Sequence, residues 1–325
     1  MTFRYFINEF SVRSDFPLAL DASARSPRTD LQEIVLRRAS LADVPCVLRK
    51  IRRQLAYDVG EGFLLDLLSN NGPLTILIDY RARTVTVDCT DECLPIAAAW
   101  FTHAGLGAAT VTHGGLPMHG AGLEVGGRYI ALMAGSGVGK STLSWYLLEH
   151  GARFANDDLV PLRWSNDVPI AYPAVSLYPN LSREMADRRR LDTAGLLHAD
   201  HGREVQDYYV PISLEKRVTS PAPLSAVFVL RPHKANHGKL LQLGRMRDLV
   251  AARQMSPEAV LKTLGSNMHA VWLLGKWMNT QRLMILFHRL AESVPFYELS
   301  YPRTFAALPT LGESVYAILR DTPGD

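Results

Sequence analysis

Cysteine is scarce and net charge is small, and each shortage removes a class of protein. Three cysteines in 325 residues, Cys46, Cys89 and Cys93, give an odd count and no disulfide framework. The opening segment Phe3 to Phe10 is broken by Arg4, Asn8 and Glu9, so no signal peptide is expected and the cytoplasm is the expected compartment. Cys89 and Cys93 lack nearby metal partners and read as buried or half-buried thiols. A formal charge of +3 gives no reason to expect nucleic acid or a membrane surface as partner. The one dense basic cluster, Arg188 to Arg190, reads as a solvated helix face. The long apolar stretch 268–294 contains Lys276, Arg282, His288, Arg289 and Glu292, which predicts an amphipathic helix rather than a membrane span.

What is present is an ordinary globular composition, 47% hydrophobic and 21% charged, in a chain long enough for one large or two ordinary domains. Short apolar runs alternate with polar breaks through the first seventy or so residues, without a nameable motif. Thr75 to Tyr80 and Thr84 to Asp88 predict a hairpin, followed by a helix from Asp91 to Thr102. Gly105, Gly107, Gly114 and Gly115 then predict a loosened chain, with a boundary between an α+β region, 1–110, and a second domain, 111–325.

Ala134 to Thr142, Ala-Gly-Ser-Gly-Val-Gly-Lys-Ser-Thr, has the spacing of a phosphate-binding P-loop, and it lies between an apolar strand and a helical run. The backbone of Gly135, Ser136, Gly137, Val138 and Gly139 is expected to present N–H groups to phosphate oxygens, together with Lys140, Ser141 and Thr142. Lys140 is expected on the β- and γ-phosphates and Ser141 on Mg²⁺. Upstream, Pro117 to Val125 and Arg128 to Ala134 flank Gly126-Gly127, the signature of a two-residue hairpin turn. Regular pairing about that turn puts His119 opposite Ala134, at the mouth of the loop.

Downstream, Lys140 to His150 predicts a helix closed by Gly151. Arg153 to Asn156 predicts a strand parallel to the one before the loop, so that Asp157 and Asp158 emerge on the phosphate side of the sheet. One carboxylate can hold the metal while the other takes a proton from an attacking hydroxyl. Leu159 to Trp164 reads as a strand, Pro169 to Pro179 as irregular, Ser182 to Leu191 as a helix, and Asp192 to Tyr209 as a loop. Strands are expected at Ala226 to Leu230, Leu240 to Leu243 and Phe296 to Tyr301. Helices are expected from Ser256-Pro257-Glu258, across Val271 to Ala291, and over Leu311 to Arg320.

His119 in Met-His-Gly, the Ser-Gly-Val-Gly-Lys-Ser loop and the Asp157-Asp158 pair, at this spacing, resemble the HPr kinase/phosphorylase family over residues 112–165. The resemblance implies an α/β fold, a P-loop kinase core related to phosphoenolpyruvate carboxykinase with a mixed sheet flanked by helices. It implies Asp157 as proton acceptor, with Lys140 and His119 in the active site and Ser141 on Mg²⁺; Asp158 is then the carboxylate of the pair expected on the metal, and ATP the expected donor. Two family features are absent: residues 172–180 carry no acid, and no Pro-Gly-Arg-Asn loop is found. The chain therefore looks closer to the HPr-kinase-related kinases, some of which act on serine in small ribosomal peptides. The expected acceptor is a hydroxyl of a peptide, a protein or a small molecule such as a sugar, with a regulatory nucleotide-binding protein and a plain NTPase as alternatives. Homo-oligomerisation is left open.

Overall fold

Apolar residues at every second position, Leu74, Ile76 and Ile78, bury one face of a strand and leave its other face less covered. The computed structural model in which they are seen describes residues 2–7, 10–18, 31–42, 49–50, 56–60, 62–69, 72–135, 137–173, 179–200, 206–233, 246–267 and 278–321. The chain is a mixed α/β protein that divides into two compact units. One comprises Met1–Pro117, Ala174–Ile212 and Trp272–Thr280; the other comprises Met118–Pro173, Ser213–Val271 and Gln281–Asp325.

The first unit begins with β1 (Phe3–Ile7), β2 (Phe10–Ser14), β3 (Gln32–Arg38), β4 (Arg49–Lys50), β5 (Ala56–Asp58), β6 (Gly62–Ser69), β7 (Gly72–Asp79) and β8 (Thr84–Cys89). They form one sheet in the order β1-β2-β3-β8-β7-β6-β5-β4. The β7–β8 hairpin forms where the sequence predicts it. Its turn is organised by the Asp79 carboxylate, which accepts from the amides of Arg81, Arg83 and Thr84.

The helix after it is longer than expected. Residues 91–112 run as one helical stretch, with α1 (Leu94–Trp100) and α2 (Leu106–Thr112) joined by a wider π-type turn over Phe101–Gly105. Gly105 does not loosen the chain here: a Cβ there would meet the Phe101 ring at 2.8 Å, so glycine is what lets the ring pack. By length and composition this helix could cross a membrane, but 72% of its apolar window is buried in the protein. Of the helix expected across Val271 to Ala291, the described part is Thr280–Ser293.

Cys89 is half-buried and Cys93 buried, both as free thiols; Cys46 lies outside the described residues. Burial, reinforced by neighbouring Cys93, pushes the Cys89 thiol up to about 11. Its thiolate is therefore a small fraction at neutral pH. Alkylation of Cys89 by iodoacetamide, followed by peptide mass spectrometry, is expected to rise about tenfold per pH unit well past pH 9. A plateau near pH 8 would contradict the assigned surroundings.

The second unit opens at Met118, the last residue of β9 (Leu116–Met118). It continues with β10 (Ala121–Val125), β11 (Arg128–Met133), α3 (Lys140–Glu149), β12 (Arg153–Asn156), β13 (Val160–Ser165) and β14 (Val168–Ala171). Pro169 lies within β14, opposite Trp164 in a tight β13–β14 hairpin, and not in an irregular segment. Its turn residues, Asn166 and Asp167, adopt positive φ of 49° and 70°, which short polar side chains tolerate.

The chain then belongs to the first unit over 174–212. There β15 (Asn180–Ser182), β16 (Leu197–Asp200) and β17 (Gln206–Tyr209) form a small antiparallel sheet, and α4 (Arg183–Arg188) is capped by Ser182. The segment 192–209, expected as a loop, therefore contains a pair of strands.

Back in the second unit, β18 (Ala222–His233) extends the expected strand at both ends, and β19 (Ala251–Gln254) and β20 (Phe296–Pro302) complete the sheet. Leu240 to Leu243 lies outside the described residues. The sheet order is β12-β10-β11-β18-β14-β13-β9, with β20 paired to β18 and β19. The Leu308–Asp321 helix packs on α3 so closely that a Cβ on Gly312 would meet the Tyr146 ring at 2.5 Å. Val227, Phe228, Phe296, Ile130 and Leu132 are sealed in the core.

Candidate active site

The Gly126-Gly127 turn, with φ of 58° and 79°, sets the β10–β11 register, running from Val125 against Arg128 to Ala121 against Leu132. That is the expected register. The ladder stops at Ala121, however, and the expected strand from Pro117 to Val125 is broken at His119-Gly120. Gly120 is forced by space, because a Cβ there would lie 2.7 Å from the Leu132 carbonyl oxygen.

β12 runs parallel to β11, as expected, although β10 is inserted between them, antiparallel to both. β18 and β20 run in the same direction as β11. The C-terminal ends of these four strands share one edge, the edge at which open α/β sheets bind ligands.

At that edge β11 leads through the glycine-rich segment into α3. Gly137 and Gly139 adopt φ of 73° and 115°, values open to glycine, and nothing lies within 4 Å of where a Gly137 Cβ would stand. Gly139 occupies the N-cap of α3 and supplies no side-chain oxygen, so the first amides of the helix are not capped by it. Gly135 and Gly137 are exposed; Val138, Gly139, Ser141 and Thr142 are half-buried; Ser136 lies outside the described residues.

Lys140 is buried at the first position of α3, and its Nζ donates to Asp158 Oδ1 at 3.0 Å. A buried ammonium needs such a counter-charge. Asp157 is 5% exposed, and its Oδ1 accepts from the Asp158 amide at 3.1 Å. Asp158 has φ of 58°, and the amide of Leu159 donates to the Asp157 carbonyl at 2.7 Å, closing a three-residue turn of the rare left-handed kind. Held strain of this sort concentrates where side chains must be aimed. His119 Nδ1 lies 3.0 Å from the Asp158 carbonyl oxygen, which can only accept, so Nδ1 carries the proton. The expected residues His119, Lys140, Asp157 and Asp158 are thus gathered around one turn.

Two supports were not visible in the sequence. Asn156 is fully buried and spans the base of the turn: its Nδ2 donates to the carbonyls of Leu159, at 2.9 Å, and Tyr172, at 3.0 Å, while its Oδ1 accepts from Tyr129 Oη. Burial holds the Tyr129 hydroxyl far above its ordinary pKa, so it remains a donor. A Cβ on Gly122 would stand 2.7 Å from Asn156 Oδ1, so glycine on β10 makes room for the amide. The only signal was a polar residue ending a short apolar strand just before two aspartates. The second support is the pair Tyr301 and Arg303, which reach the glycine-rich segment from the end of β20 with no signal in sequence at all.

Ser141 and Asp158 offer hard oxygen donors of the type Mg²⁺ takes when phosphates and waters complete its shell. Among the described residues, no group of three or more His, Cys, Asp or Glu gathers to hold a metal by itself.

No family model matches the chain, and no curated protein matches it. Among solved structures it is similar to the HPr(Ser) kinase/phosphatase from Coxiella burnetii, with 10% identity and a TM-score of 0.31, over 63% of this chain and 94% of that one. The likeness is slight, and the functional reading rests on the geometry of the site.

Proposed function

We propose that the second unit is an ATP- and Mg²⁺-dependent kinase that transfers the γ-phosphoryl group to a hydroxyl, with serine of a peptide or protein as the acceptor. The observation that carries this reading is the meeting of buried Lys140, at the start of α3, with the Asp157-Asp158 turn on the edge where the parallel strands end.

In this reading the glycine-rich backbone and the start of α3 bind the phosphates, and Lys140 neutralises charge on the transferring group. Ser141 and Asp158 would hold Mg²⁺, which supplies charge neutralisation on the phosphates when bound. Asp157 orients the acceptor and takes its proton as the hydroxyl oxygen bonds to phosphorus and the bond to ADP breaks. His119, its Nδ1–H committed to the Asp158 carbonyl, fixes that turn from the other side. Free thiols at Cys89 and Cys93 suit a reducing compartment such as the cytoplasm.

Incubation with γ-labelled ATP and Mg²⁺, against serine peptides, lysate proteins and small alcohols from the source, is expected to label a hydroxyl acceptor. Rapid release of labelled phosphate with every acceptor ignored would instead assign a plain NTPase. ATP binding with neither outcome would leave a nucleotide-binding regulatory protein.

A further inference from the structure

The carbonyls of the glycine-rich segment are held from behind. Tyr301 Oη donates to the Val138 carbonyl at 2.8 Å, and Arg303 Nη2 donates to the Gly137 carbonyl at 2.8 Å. Tyr301 is the last but one residue of β20, 6% exposed, and Arg303 is exposed just beyond the strand. The fit is close: a Cβ on Gly139 would lie 3.2 Å from Tyr301 Oη.

A trans peptide is planar, with its C=O and the following N–H pointing opposite ways. A donor that fixes the Gly137 carbonyl therefore fixes the direction of the Val138 N–H, and one that fixes the Val138 carbonyl fixes the Gly139 N–H. Successive amides held in this way, with positive φ at Gly137 and Gly139, form a concave anion-binding nest. We infer that Tyr301 and Arg303 are positioning residues for the nucleotide, presetting the Val138 and Gly139 amides toward its phosphates before it arrives. This inference rests on the proposed nucleotide site. Without the two donors the segment would have to be ordered on binding, and affinity would fall. Burial pushes the Tyr301 hydroxyl up to about 12, partly offset by Arg303, so it keeps its proton through the working range of pH.

A matched control exists in the same unit. Tyr316 Oη also donates to a backbone carbonyl, that of His150, at 2.8 Å, but at the far end of α3. Calorimetric titration of the full chain with ATP and Mg²⁺ is expected to show Tyr301→Phe and Arg303→Ala each raising Kd about tenfold, the scale of one lost hydrogen bond. Tyr316→Phe is expected to stay within about twofold of the parent. In transfer assays KM for ATP should rise while kcat holds, because both states of the bound nucleotide lose the same support. The inference is overturned if both site variants bind as the parent does, or if Tyr316→Phe weakens binding equally. Arg303 is exposed, so Arg303→Ala decides the matter even if Tyr301→Phe proves unstable. A parent protein that binds no ATP would instead overturn the nucleotide reading itself.

Discussion

Asp157→Asn is expected to keep ATP binding within about twofold of the parent while slowing phosphoryl transfer by about 10²-fold or more, the scale of a lost general base. The substitution preserves size and keeps an oxygen able to accept from the Asp158 amide, now 3.1 Å from Asp157 Oδ1, so the turn survives. What is lost is the capacity to take a proton. Lys140→Ala provides the contrast. It removes the charge expected on the phosphates and leaves the Asp158 carboxylate without the ammonium 3.0 Å away, so binding and transfer should fall together. The two variants are separated by titration with ATP beside a labelled-transfer assay. Near-normal transfer in Asp157→Asn would refute its role as base.

Asn156→Ala is expected to lower stability by about 3 kcal/mol, about 1 for each of three buried hydrogen bonds lost, although the Tyr129 hydroxyl keeps its bond to the Tyr172 carbonyl at 3.4 Å. The Leu159 and Tyr172 carbonyls and the Tyr129 hydroxyl all bond to this one amide, and Asn156 is 0% exposed, so water does not readily replace it. A melting curve should shift down by roughly 6–12 °C. Transfer should fall as well, because the same amide braces the turn that carries both aspartates. Tyr129→Phe removes one of the three bonds and should cost about 1 kcal/mol. A melting temperature unchanged in Asn156→Ala would show that the amide does not hold the turn.

The parts of the site that could be read in sequence are those written in local chemistry. Gly126-Gly127 dictates a tight turn, and the turn dictates the register from Val125 against Arg128 to Ala121 against Leu132, beyond which His119 leaves the ladder and bonds instead to the Asp158 carbonyl. Lys140 and the aspartates follow from one helix and one short strand, as a crossover between parallel strands requires. Reading failed where a residue's meaning depends on distant packing. Gly105 looked like a breaker, yet it gives space to Phe101 inside a buried helix. Residues 192–209 looked polar enough for a loop, yet Leu197–Asp200 pairs with Gln206–Tyr209. Tyr301 and Arg303 were silent, and Asn156 nearly so, because they act on segments distant in sequence: the glycine-rich segment for the first two, Tyr129 and Tyr172 for the third.

The separations involved have a consequence for how the chain matures. The hydrogen bonds from Tyr301 and Arg303 span 163 and 166 positions along the sequence. During synthesis the glycine-rich segment, α3 and the aspartate turn emerge long before the strand that braces them, and contacts of such long range form late. A nascent chain thus carries the whole nucleotide motif in an unbraced form. On the inference above, firm nucleotide binding is acquired only when β20 docks, which ties the onset of ligand affinity to the making of that strand rather than of the motif itself.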